Sequence, residues 1–242
     1  MSFVSTAGAR MPHGPAIPDP VLLMHFDGDF VDAMGITTFT SNVSTFEAGS
    51  SGFGQRAAVT GGTAHIFGVS TQELSVGTRN YTFEGRCSFA SGQAGGVVLS
   101  KNYWSSEPAP GVFKHDFTVS VTPTKLTMFW ESNGATYEAN LSTVDDVEFH
   151  WAITDDGTTM RFYQDGALIG TQTSAALGTP TPPVTVGSGL TVLGQLQGFS
   201  GPSPSWSTSF VGRLDELVMW LDYAKHTGAS YTVPTAPYTF GA

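Results

Sequence analysis

From Val21 onward, apolar and polar residues alternate in short runs, and clusters of Gly, Pro, Asn, Asp or Ser bound each run. A period of two marks a β-strand with one face against a core, and many short runs between turn residues predict a sandwich or barrel. The clearest run is Tyr81 to Phe89. Tyr81, Phe83, Cys87 and Phe89 share one side, while Thr82, Glu84, Arg86 and Ser88 share the other, so the pattern predicts one buried face and one wet face.

Further strands are expected at Val21 to Phe26, Ile36 to Thr40, Ala57 to Thr60, Thr63 to Phe67, Val97 to Leu99, Phe113 to Val121, Lys125 to Trp130, Thr136 to Ala139 and Phe149 to Thr154. Asp155-Asp156-Gly157 and Gln164-Asp165-Gly166 read as hairpin turns leading into Thr159 to Tyr163 and Ala167 to Thr171. In Phe210 to Leu221, Phe210, Gly212, Leu214 and Glu216 alternate with Val211, Arg213, Asp215 and Leu217. Between them, Thr173 to Ser209 is rich in Gly, Pro, Ser and Thr. It predicts mainly surface loops, with strands only at Val184 to Val186 and Leu190 to Leu193.

The first twenty residues carry Pro12, Pro15, Pro18 and Pro20, which fix φ and remove backbone donors. They are expected to form an extended arm ahead of a single domain over residues 21–242, and they contain no apolar stretch of signal-peptide length. No apolar stretch in the chain is long enough to span a membrane as a helix, so no membrane insertion is expected.

Composition supports an all-β reading: Gly is 29, Pro is 14 and aromatic residues are 12%. Lys+Arg 10 against Asp+Glu 20 gives a net charge of -10, with the basic residues standing singly. This argues against nucleic acid as a partner, because such binding clusters Lys and Arg against phosphates. The single cysteine, Cys87, excludes an intrachain disulfide and, alternating among aromatics, reads as a small buried hydrophobe.

Several motifs then narrow the fold. They are His25-Phe26-Asp27-Gly28, His150-Trp151, Phe162-Tyr163-Gln164-Asp165-Gly166, Leu214-Asp215-Glu216-Leu217 and Tyr231-Thr232-Val233-Pro234-Thr235-Ala236-Pro237. In this order they resemble the laminin-G-like, concanavalin A-like jelly-roll domains, and in particular those of tailed-bacteriophage virion proteins; His150-Trp151 reverses the usual order of that pair. The resemblance implies a jelly-roll β-sandwich of two antiparallel sheets. On residue chemistry alone, Trp151 and Tyr163 suit inner-face positions where their one polar atom finds a backbone partner.

The resemblance also frames the expected function: a non-enzymatic virion structural protein on the particle exterior, a capsid decoration or tail adaptor docking on other virion proteins through its arm and loops. Self-association as a homo-oligomer would cap sheet edges. The alternative is a carbohydrate-binding module or lectin that attaches to a cell-surface glycan.

The candidate contacts for glycan or partner are Tyr103, Trp104 and Trp206, aromatics expected in Gly/Pro/Ser-rich loops rather than on alternating strands. Many such jelly rolls bind calcium at a loop rim, and Asp27, Asp29 and Asp32 are the candidate ligands. No catalytic residues are expected. The Glu-x-Asp-x-x-Glu motif of jelly-roll β-glucan hydrolases is absent, and the adjacent Asp215 and Glu216 are expected on opposite faces of a strand. The six histidines are scattered, and His25 and His150 read as satisfied core or hairpin histidines.

Overall fold

The computed structural model of the protein describes residues 17–35, 37–41, 45–48, 53–59, 66–69, 74, 76, 79–105, 112–130, 134–174, 185–193, 195–200, 203–207 and 210–239. Residues 1–16, most of the expected arm, lie outside the described residues. The strands in chain order are β1 (Leu22–Met24), β2 (Thr38–Ser41), β3 (Thr45–Ala48), β4 (Gln55–Val59), β5 (Ile66–Val69), β6 (Tyr81–Ser88), β7 (Gly96–Ser105), β8 (Val112–Val121) and β9 (Lys125–Trp130). They continue with β10 (Ala135–Asn140), β11 (Phe149–Asp155), β12 (Thr159–Gln164), β13 (Ala167–Thr173), β14 (Thr185–Val192), β15 (Gln195–Ser200), β16 (Ser203–Ser207) and β17 (Gly212–Leu221).

Two antiparallel sheets form a jelly-roll β-sandwich. One has the order β13-β12-β11-β6-β17-β4-β3, with β1 also on β17, and the other runs β10-β9-β8-β7-β14-β5-β2. β15 and β16 make a separate hairpin. The inner faces meet in one core to which the first sheet contributes Tyr81, Phe83, Trp151, Ile153, Phe162 and Met219, and the second Leu99, Phe117, Val119, Met128 and Trp130. Trp151 packs where Gly85 leaves room: a Cβ there would lie 3.0 Å from the indole Cζ2.

The predicted strands are present within the described residues, with Ile36, Thr60, Thr63 to His65 and Val184 lying outside them, and the Asp165-Gly166 turn has both residues at positive φ, 48° and 78°, as a two-residue type I′ hairpin requires. Three expectations are corrected. First, the described part of 173–209 is largely strand, since β14 inserts between β7 and β5, and β15 pairs β16, while 175–184, 194, 201–202 and 208–209 lie outside the described residues. Gly and Ser there hid the period because they carry little hydrophobic signal. Second, β6 is buried on both faces, whereas β9 alternates half-exposed and buried as a one-sided strand does. The polar face of β6 is covered by the segment after β17.

Third, a bulge in β17 breaks its alternation. Asp215 lies opposite Arg86 but Val218 lies opposite Glu84, so one extra residue is accommodated, and Glu216 sits at φ 48°. The bulge lets Leu214, Leu217, Met219 and Leu221 all reach the core, while Val218 and Trp220 turn outward with Leu23.

Candidate functional site

The segment 222–239 after β17 has no strand of its own, yet it lies across the outer face of the first sheet through polar contacts. Thr82 donates from Oγ1 to the Tyr223 carbonyl at 3.0 Å and accepts from the Lys225 amide at 2.9 Å. Farther on, the Tyr163 hydroxyl donates to the carbonyls of His226 and Gly228, and the Tyr231 amide donates to the Gly166 carbonyl at 2.8 Å. The segment then turns back, with Arg86 donating to the Pro234 carbonyl and the Tyr238 amide donating to Glu216 Oε2 at 3.3 Å.

Glu84 stands at the centre, fully buried. Its Oε1 takes Lys225 Nζ at 2.5 Å and the Tyr238 hydroxyl, and its Oε2 meets His226 Nε2 at 2.8 Å with His150 Nε2 at 3.9 Å. Burial alone would raise the pKa of Glu84, but the His226 hydrogen bond and the surrounding positive charges hold it down to about 2. His150 is pushed down to about 4, chiefly by burial, and its Nδ1 shares a 2.8 Å hydrogen bond with the Tyr231 hydroxyl. The Tyr231 ring also stacks on His226 at 3.6 Å between centroids.

A second polar feature lies at the bulge. His25 Nδ1 contacts Glu216 Oε1 at 2.6 Å, with the carboxylate buried and the imidazole partly exposed. That hydrogen bond raises the His25 pKa. Asp215 and Glu216 do not take opposite faces as expected, because the bulge leaves both on the outer side: Asp215 beside Arg86 in register, Glu216 against the returning segment. Asp215 Oδ1 accepts the Glu216 amide at 2.9 Å while Oδ2 has no hydrogen-bond partner among the described residues. Burial first, and the Glu216 charge second, push its pKa up to about 8, so it is a neutral acid at pH 7. Beside this pair is a recess of about 260 Å³ lined by Leu23, His25, Ala33, Met34, Tyr238 and Thr239.

The expected site residues fall elsewhere. Tyr103 and Trp104 are on β7, paired with Ser188 and Gly187 of β14 on one side and with Lys114 and Phe113 of β8 on the other. Trp206 is on β16, opposite Leu196. The loop placement is therefore corrected to strand; the flanking Gly, Pro and Ser obscured extended segments that pair laterally. Trp206 belongs to the separate hairpin, whereas Tyr103 and Trp104 belong to the seven-stranded sheet.

The three aspartates are each engaged by backbone amides. Asp32 is buried and accepts from Leu23, Met34 and Thr37, Asp27 accepts from Gln55 at 2.8 Å, and Asp29 accepts from Val31. These bonds tie turns and loops, and among the described residues no three His, Cys, Asp or Glu side chains are grouped as metal ligands.

His25 and His150 are satisfied through side-chain partners, Glu216 and Tyr231. Trp151 Nε1 donates to Cys87 Sγ at 3.2 Å instead of a backbone carbonyl, and burial raises the Cys87 thiol pKa. Tyr163 faces the covering segment on the outer side and not the core. Sequence reasoning missed Glu84, Lys225, His226 and Tyr238 as a group. The available signal was a charged, polar face on a strand in the middle of the chain, which only a distant segment could cover.

No protein-family model matches the chain, and no curated protein sequence matches it. Among solved structures it is similar to the botulinum neurotoxin serotype G binding domain, with TM-score 0.55 and 11% identity over 87% of this chain and 49% of that one. It is similar at TM-score 0.54 and 12% identity, over 87% of this chain and 49% of that one, to a botulinum neurotoxin type C structure described by interaction with two ganglioside molecules. A third is the botulinum neurotoxin DC binding domain in complex with SialylT, at TM-score 0.53 and 10% identity over 83% and 47%. The chain thus spans about half the length of the solved structures it matches. At these identities the likeness is one of fold, and the fold is that of the jelly-roll binding domains.

Proposed function

We propose that the protein is a non-enzymatic binding module that recognises a glycan. The observation that carries this reading is the fold shared, over more than four-fifths of the chain, with neurotoxin domains described by binding, one with two ganglioside molecules and one with SialylT. The chemistry of the buried carboxylates fits it. Glu84 is ion-paired out of contact with solvent, and Asp215 and Glu216 are adjacent and held by local bonds, so these three carboxylates are not set across a space for a scissile bond. A glycan array with the wild-type chain and with Trp104→Ala and Trp206→Ala tests the reading. Binding by the wild type supports it, loss in either variant assigns the contact to that aromatic, and hydrolysis of a β-glucan would overturn it.

A second reading, a structural protein on the exterior of a bacteriophage particle, is favoured by the sequence motifs, which follow the order of the virion jelly rolls. In this reading the N-terminal arm docks on capsid or tail proteins. Its last residues are tied to the domain where Trp220 Nε1 donates to the Pro18 carbonyl at 3.1 Å. Co-sedimentation of the full chain and a chain lacking residues 1–20 with particles stripped of this protein tests it: arm-dependent binding supports a virion role, and binding by neither overturns it.

A further inference from the structure

The His25–Glu216 pair is built at some conformational cost. Glu216 is a non-glycine residue in the left-handed region at φ 48°, and Phe26, next to His25, is another at φ 59°. L-residues are sterically disfavoured there, because Cβ approaches the following carbonyl oxygen. The Glu216 carboxylate is 2% exposed, and both oxygens are used, one by His25 and one by the Tyr238 amide. The result is an imidazole, about a quarter exposed, held by a buried carboxylate at one wall of the recess. Because Nδ1 donates to Glu216, the tautomer is fixed and the ring offers its second nitrogen, Nε2, as an acceptor when neutral and as a donor when protonated.

We propose that this recess is a saccharide subsite that takes one neutral pyranose ring. The proposal rests on the glycan-binding reading and names the ligand class and the place. A pyranose has one face of C–H groups and a rim of hydroxyls, and the recess has both complements. Leu23, Ala33, Met34 and Tyr238, whose hydroxyl and amide are already bonded, supply apolar wall, while His25 and Thr239 supply polar groups.

Charge selects a neutral ring over an acidic one. The Glu216 carboxylate backs His25, and Asp27 and Asp29 lie close enough to act on the same ring, so a carboxylate on the ligand would meet an acidic surround. A volume of about 260 Å³ is at the small end of ligand sites, the size of a single sugar and not of a chain. Beneath the recess, Leu23 packs with Val218 and Trp220, which fixes the apolar wall.

The test is saturation-transfer NMR with the full chain against glucose, galactose, mannose and N-acetylglucosamine, with glucuronic acid as the acidic control, alongside the glycan array. The variants are His25→Gln, Ala33→Trp and Trp104→Ala. Ala33 is exposed, so Ala33→Trp fills the recess without disturbing the core and covers the case in which His25→Gln fails to fold. The expected result is transfer to a neutral sugar, with affinity reduced about tenfold or more by His25→Gln and abolished by Ala33→Trp. Glycan binding that survives Ala33→Trp but is lost in Trp104→Ala would overturn the recess and keep the glycan-binding reading. Preference for glucuronic acid would overturn the neutral-ring assignment, and no glycan binding by the wild type would overturn both.

Discussion

Glu84 on β6 and His226, 142 residues later, meet at 2.8 Å beneath the surface of the protein. The contact joins a central strand to a segment that pairs with the sheet only through an isolated bridge between Ser230 and Ala167 among the described residues, and Lys225 and Tyr238 converge on the same carboxylate. Glu84→Gln should therefore cost about 3–5 kcal/mol, because it leaves the Lys225 ammonium buried against a neutral amide. Chemical denaturation measures that loss, and hydrogen exchange locates it. The Lys225 and Tyr231 amides should exchange faster than those of β9, and equal midpoints for variant and wild type would refute the expectation.

Acid should act on the same cluster. Glu84 has a folded pKa of about 2 against an ordinary 4.5, so its contribution is complete above pH 4.5 and is lost as pH falls toward 2. The loss is of the order of 3 kcal/mol. Denaturation midpoints between pH 5 and 2 should fall steeply for the wild type and remain flatter in Glu84→Gln.

Between pH 4 and 6.5 two groups oppose each other. His150, pushed down to about 4 by burial, stays neutral in the folded chain while it is protonated when unfolded, so it favours stability as pH rises. Asp215, pushed up to about 8, stays protonated when folded and ionises when unfolded, so it favours stability as pH falls. The two slopes cancel in the wild type. His150→Gln should lose stability as pH rises through this window and Asp215→Asn should gain it; matching slopes in all three proteins would show that neither group titrates as described.

Gly166→Ala should be strongly destabilising, by about 2–4 kcal/mol. The residue sits at φ 78°, and a Cβ there would lie 2.3 Å from the Tyr231 carbonyl oxygen, so both the hairpin and the segment packed on it must move. Thermal melts against Gly92→Ala, which has a similar φ but open space, separate the clash from the backbone cost.

Much of the fold is legible in the sequence because alternation is a local signal. Leu126, Met128 and Trp130 on β9, and the Asp165-Gly166 turn, announce themselves within a few residues. β14 to β16 were obscured because Gly187, Ser188 and Gly189 pair by backbone and bury little side chain. The site was harder to see. Glu84 and Arg86 look like a solvated face until a segment some 140 residues away is placed over them, and the Glu216 bulge shows only when Asp215 and Val218 are set against Arg86 and Glu84. Both are long-range facts that spacing along the chain does not encode.

The position of β17 also governs how the molecule must be assembled. Although it is the final strand, it fills the middle of the eight-stranded sheet, between β6 on one side and β4 and β1 on the other. Until residues 212–221 arrive, β6 and β4 present unpaired backbone edges, and the polar side chains of β6 have no cover. Folding is thus dominated by distant pairings and should be slow, with chains stopped short of Gly212 prone to pair edge to edge with one another.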